Sequence, residues 1–222
     1  MSQTFPELHA FLFDLDGTLI DSKLDLVTSV NAMLRQMGRA ELPTELVATF
    51  IGHGAPQLIA SALGPDATEE QRRTGLSLFM SHYQQHKLDA TRAYPGVVEA
   101  LDSLSGFPMS VLTNKPTTMS VEILQGLGLA KYFRTIYGGD SFEKKKPDPA
   151  GALAILQELG VPPAQAAMIG DSEVDVQTAR NAGMFAVAVN YGFGVHDRAA
   201  HPADLYLDSL WDLVRLTPDR RP

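Results

Sequence analysis

The chain has 222 residues, 45% hydrophobic and 20% charged, with a formal net charge of -8 at pH 7 and no cysteine. This composition excludes a disordered chain, and the length allows one large domain or a core domain with an insert. The acidic balance argues against a nucleic-acid or anionic-membrane partner, and the lack of cysteine excludes disulfides and thiolate catalysis.

Met1 to His9 carries Glu7 and has no basic-then-apolar signal pattern. No apolar run approaches the roughly 20 residues that span a bilayer. A cytoplasmic protein is expected. Ala10-Phe11-Leu12-Phe13 reads as a buried strand ended by Asp14-Leu15-Asp16-Gly17-Thr18. From 21 to 91 the pattern is helical. Leu26, Val30, Met33, Leu34 and Met37 form one apolar stripe, and Leu58, Ile59, Ala62 and Leu63 a second. Gln71 to Lys87 is a third, polar-rich helix.

After Tyr94-Pro95-Gly96 strands and helices alternate. Helices are expected over Val97–Leu104, Thr118–Leu127, Pro149–Leu159 and Ser172–Asn181. Pro149 and Gly160 flank the third as a first-turn proline and a C-terminal glycine should. Strands are expected at Met109–Leu112, Thr135–Tyr137, Ala166–Ile169, Phe185–Val189 and, more weakly, Asp204–Leu207. The alternation predicts an α/β fold with a doubly wound parallel sheet. Residues 1–20 and 92–222 would form this Rossmann-like core domain. Residues 21–91 would form a helical cap domain inserted over the strand ends.

In such sheets ligands bind beyond the carboxyl ends of the strands. Polar residues gather there: Asp14 and Asp16, then Thr113, Asn114 and Lys115, then Asp140 and Lys146, then Asp171, Ser172 and Asp175. Each cluster also has a plain structural reading. Asp16-Gly17 can be a turn, Thr113-Asn114 a helix cap, Lys144-Lys145 solvated charge, and Ser172 with Asp175 a capping box. Taken together they suggest more. Carboxylates close in space repel unless a cation sits among them, and oxygen ligands suit magnesium. A lysine, a hydroxyl and backbone amides nearby would then serve an anionic, phosphate-bearing substrate.

The four clusters, in order and spacing, resemble the haloacid dehalogenase superfamily. Phe13-Asp14-Leu15-Asp16-Gly17-Thr18-Leu19 is similar to its first motif and Thr113 to the second. Lys146 is similar to the third, and Gly170-Asp171-Ser172-Glu173-Val174-Asp175 to the fourth. The resemblance implies a magnesium-dependent phosphatase and assigns the roles. Asp14 would be the nucleophile that becomes an aspartyl-phosphate, and Asp16 the proton carrier. Asp14, Asp171 and the backbone carbonyl of Asp16 would hold Mg2+. Thr113, Asn114 and Lys146 would hold the phosphoryl group, and Asp175 and Ser172 would stand behind the metal site or Lys146. An acid at position 16 sets dehalogenation aside.

Within the superfamily the chain is most similar to the phosphoglycolate phosphatases. The resemblance rests on Ile51-Gly52-His53-Gly54-Ala55, Thr113-Asn114-Lys115-Pro116-Thr117, Tyr137-Gly138-Gly139-Asp140, Lys145-Lys146-Pro147-Asp148-Pro149 and Tyr191-Gly192-Phe193-Gly194. It implies 2-phosphoglycolate as substrate, with Gly52, His53 and Gly54 contacting its carboxylate from the cap, and a monomer or homodimer. A sugar phosphate, a nucleoside monophosphate or pyrophosphate, hydrolysed or moved by a mutase, is the alternative within the fold. A non-catalytic phosphate- or partner-binding module is the alternative outside it.

Overall fold

The computed structural model describes residues 7–194 and 196–217. Residues 1–6 and 218–222, assigned above to the core, lie outside the described residues.

Six parallel strands form the sheet, β1 (Ala10–Phe13), β4 (Met109–Leu112), β5 (Thr135–Tyr137), β6 (Ala166–Gly170), β7 (Phe185–Val189) and β8 (Leu205–Leu207). Their order is β5-β4-β1-β6-β7-β8. The chain builds β4 and β5 on one side of β1, then crosses to β6 and continues away on the other side. Strand order therefore reverses at β1, and its carboxyl end is the place where such a sheet opens a crevice.

Strand pleating divides β1 between two apolar layers. Ala10 and Leu12 join Ile155 and Leu156 of α7 (Ala150–Leu159) and Val176 and Ala179 of α8 (Glu173–Ala182). Phe11 and Phe13 join the opposite layer. There they meet α5 (Val97–Ser103), α6 (Thr117–Gly126) and α9 (Trp211–Leu216) through Val97, Leu101, Ile123 and Leu213. Covering both faces is what lets the strands be continuously apolar.

Between β1 and β4 the chain leaves through β2 (Ile20–Asp21) and returns through β3 (Arg92–Ala93), a two-residue antiparallel ladder. Four helices lie between them: α1 (Lys23–Gln36), α2 (Thr44–Ala48), α3 (Ala55–Leu63) and α4 (Glu69–His86). The five-residue α2 and the ladder are too short to leave a periodic signal. Helix α4 starts at Glu69 because Thr68 and Gln71 form a reciprocal capping box.

Asp25, buried in the first turn of α1, locks the base of the insert. Its carboxylate accepts from Ala90 N (2.9 and 3.0 Å), Thr91 N (2.8 Å) and Thr91 Oγ1 (2.7 Å). The apolar layer of Phe13 and Leu15 runs on into Leu26, Val30, Phe79 and Tyr83, so insert and sheet share one core. No helix among the described residues is long and apolar enough to cross a membrane.

Candidate active site

Asp14 stands at the carboxyl end of β1, its N–H bonded to Ile169 O at 2.8 Å. Lys146 Nζ lies 2.8 Å from Asp14 Oδ1 and 2.6 Å from Asp175 Oδ1, and all three side chains are buried. Asp175 Oδ2 accepts from Ser172 N (3.1 Å) and Ser172 Oγ (2.6 Å). The capping box at Ser172 is therefore real, and the same carboxylate also holds Lys146 through its other oxygen.

Asp171 completes the group. Its Oδ2 accepts from Phe193 N (3.0 Å) and Gly194 N (2.7 Å). Gly17, at φ +84°, passes so close that a Cβ there would stand 1.9 Å from Asp171 Oδ2. Glycine is required on both counts. Asp14, Asp171 and Asp175 offer oxygens within 4.8 Å of one another.

Among the described residues one ammonium, Lys146, touches this trio, and Asp171 accepts from backbone amides alone. Burial pushes Asp14 up to about 6 despite the pull of Lys146. Burial, then the charges of Asp175 and Asp14, push Asp171 well above the usual carboxylate range. Buried carboxylates in surplus over cations, all with hard oxygen donors, fit a divalent cation such as magnesium.

The Asp16 carboxylate is not part of the trio. It accepts from Ser22 Oγ at 2.5 Å and from Lys115 Nζ at 2.9 Å to each oxygen. Only its backbone carbonyl is left to serve a metal, as the family resemblance implies. Lys115 Nζ also donates to Tyr83 Oη of α4 at 2.8 Å and lies 4.6 Å from that ring's centre. Burial pulls the Lys115 ammonium down, but Asp16 and Tyr83 more than offset it, so its pKa ends above the usual lysine value. Burial first, and then Asp16, push the Tyr83 phenol up to about 12, so it keeps its proton.

Thr113 is buried at the end of β4, and its Oγ1 accepts from Lys115 N at 3.3 Å. Asn114 Nδ2 donates to Gly52 O (2.9 Å) and Lys146 O (3.1 Å), tying the insert to the Lys146 loop. Both amide protons are used, so any contact of Asn114 with a phosphoryl group falls to its backbone N–H. Asp140 caps α6 by accepting from Thr117 N at 2.8 Å.

A cleft opens between these residues and the insert. Asp14, Asp16, Thr113, Asn114 and Lys115 face it from the sheet, and Ile51, Gly52, Gly54, Leu58, Phe79, Met80 and Tyr83 from the insert. His53 does not join them. The turn brings Gly54 against Asn114, where a Cβ would stand 3.0 Å from Asn114 O. The exposed His53 lies instead with Thr49, Phe50, Gln57 and Ser61 around an outer depression. Of the three residues expected to meet the substrate from the insert, Gly52 and Gly54 line the cleft and His53 is absent from its lining.

The profile of the haloacid dehalogenase-like hydrolases matches residues 11–189, a span that includes every one of these side chains. The chain belongs to that family.

Its relatives are close along nearly the whole length. A phosphoglycolate phosphatase of Pseudomonas savastanoi is 40% identical over 212 residues, covering 91% of this chain and 77% of the relative. One of Chromobacterium violaceum is 37% identical, covering 94% and 96%. Among solved structures, a predicted phosphoglycolate phosphatase from Haemophilus somnus superposes with a TM-score of 0.90 at 31% identity. It covers 96% of this chain and 99% of that one. Two features of this hydrolase are not evident from its sequence motifs. Tyr83 is hidden in a polar helix, although Leu76, Phe79, Met80 and Tyr83 carry helical spacing. The second is the partnership of Lys115 with Asp16, which no spacing in the chain announces.

Proposed function

We propose that this hydrolase cleaves small phosphate monoesters, 2-phosphoglycolate foremost, through an aspartyl-phosphate on Asp14. One observation carries the reading. Two carboxylates at one strand end have separate cations, Asp14 with Lys146 at 2.8 Å and Asp16 with Lys115 at 2.9 Å, and both carboxylates line one cleft. Separate environments suit separate tasks.

In the first step a carboxylate oxygen of Asp14 bonds to phosphorus as the ester P–O bond breaks, and Asp16 gives a proton to the leaving alkoxide. In the second, water attacks phosphorus and yields its proton to Asp16. Inorganic phosphate leaves and the Asp14 carboxylate is restored. Lys146, fixed by Asp175, sets a positive charge beside the nucleophile. The Thr113 hydroxyl and the Asn114 backbone N–H would donate to phosphoryl oxygens, whose charge must be met by preorganised groups.

Asp14, Asp171 and the Asp16 carbonyl would hold the magnesium ion. Bound there, it supplies positive charge against the phosphoryl oxygens. Asp175 has both oxygens engaged, by Lys146 and by Ser172, and so positions Lys146.

The choice of 2-phosphoglycolate rests on the relatives at about 40% identity and on the closeness of the insert, residues 21–91, acting as a cap. A cap that meets Asn114 leaves room for a small ester and keeps water out. The test is a kinetic screen of purified protein with magnesium against a panel of phosphate esters. The highest kcat/KM is expected for 2-phosphoglycolate, with activity lost in EDTA. A sugar phosphate, nucleoside monophosphate or pyrophosphate at the head of the ranking refutes the substrate assignment.

A further inference from the structure

We infer that Lys115 and Tyr83 form the subsite that binds the substrate's carboxylate, and that this subsite makes the enzyme selective for α-carboxy phosphate esters. The inference rests on the proposed substrate and adds the residues that recognise it.

The geometry starts at Asp16. In an α-carboxy ester one methylene separates the ester oxygen from the carboxylate carbon. The group that protonates the ester oxygen and the cation that meets the carboxylate must therefore be neighbours. Lys115 Nζ is 2.9 Å from both Asp16 oxygens, is buried, and lines the same cleft. The site's other buried ammonium, Lys146, is held on the far side between Asp14 and Asp175 and does not line that cleft. Tyr83 brings a second donor from the insert, 2.8 Å from Lys115 Nζ. Lys115 Nζ spends its three N–H bonds on the two Asp16 oxygens and Tyr83 Oη, so a carboxylate seated here would take the Tyr83 O–H and displace one of those acceptors from Lys115. It would then hold one contact from each half of the molecule, and its binding would favour the insert lying against the core.

The rest of the wall sharpens the choice. Leu26, Leu58, Phe79 and Met80 line the same cleft as Lys115 and Tyr83. None has a polar side chain to offer. A sugar phosphate seated there would bury hydroxyls without partners, which a site rejects more strongly than it rejects a missing methylene. Lys115 thus selects for the carboxylate, and the apolar wall selects against polyols.

The test compares 2-phosphoglycolate with ethyl phosphate, the same ester without the carboxylate, in the wild type, Lys115→Met and Tyr83→Phe, with melting curves for each. The wild type should prefer 2-phosphoglycolate. Lys115→Met should lower that preference by about 30-fold, chiefly through KM, as loss of a charge-assisted contact implies. Tyr83→Phe, which deletes one hydroxyl, should lower it by about fivefold and decides the matter if Lys115→Met does not fold. A folded variant that keeps the wild-type preference overturns the inference alone. A wild type with no preference between the two esters overturns the substrate assignment and the inference together.

Discussion

Asp16 and Lys115, 99 residues apart in sequence, are paired through both carboxylate oxygens at 2.9 Å. The pairing occupies both Asp16 oxygens and leaves Asp16 outside the Asp14, Asp171 and Asp175 cluster, which suits the proposed role of proton carrier. Asp16→Asn keeps the shape and removes the proton. Turnover of 2-phosphoglycolate, whose alkoxide leaves poorly, should fall by roughly 10²–10⁴-fold. Turnover of p-nitrophenyl phosphate, whose phenolate leaves unaided, should fall far less. Equal losses on the two esters would remove Asp16 from the acid's role.

Metal binding should depend on pH in a defined direction. Without metal, burial raises Asp14 from 3.8 to about 6. The folded value exceeds the unfolded one, so the folded protein holds an extra proton across that window. The stability this proton contributes is present below the unfolded pKa and is lost as pH rises through about 6. Magnesium needs the carboxylate, so protons compete with it below that value. The rise in Tm on adding magnesium should therefore be small at pH values below 6 and large above. An equal rise on both sides would mean that Asp14 is not a ligand.

Asp25 has no part in the chemistry, yet it fastens the insert. Asp25→Ala would leave Ala90 N, Thr91 N and Thr91 Oγ1 without their acceptor. One half-buried and two buried donors losing a charged partner should cost about 3 kcal/mol. For a chain of this size that is a fall in Tm of roughly 6–12 °C, read by thermal denaturation. A loss under about 1 kcal/mol would show that the ladder of β2 and β3 holds the base unaided.

The fold was legible because buried parallel strands are short apolar runs that stop at polar residues, and each of the six occurs where such a run does. The convergence of Asp14, Lys146, Asp171 and Asp175 was legible for a related reason. Parallel strands all point their carboxyl ends to one edge, so residues just past those ends must meet. The insert resisted reading. Its apolar stripes at Leu26 and Leu58 identify helices but not the direction they face, so the cleft lining by Leu58, Phe79 and Tyr83 emerges only from packing. His53 shows the limit most plainly. Flanking glycines mark a tight turn, but the side on which the middle residue emerges depends on the contact of Gly54 with Asn114.

Asp14 as nucleophile is the claim on which the rest depends, and Asp14→Asn tests it with the least interpretation. The variant keeps the side chain's size beside Lys146 and removes the charge that attacks phosphorus. Turnover of 2-phosphoglycolate should fall to the uncatalysed background while the protein still melts cooperatively. Acid quenching of the wild type in turnover, followed by borohydride reduction and peptide mass analysis, should place the phosphate on Asp14. Turnover retained by Asp14→Asn, or phosphate trapped on another residue, would contradict the account.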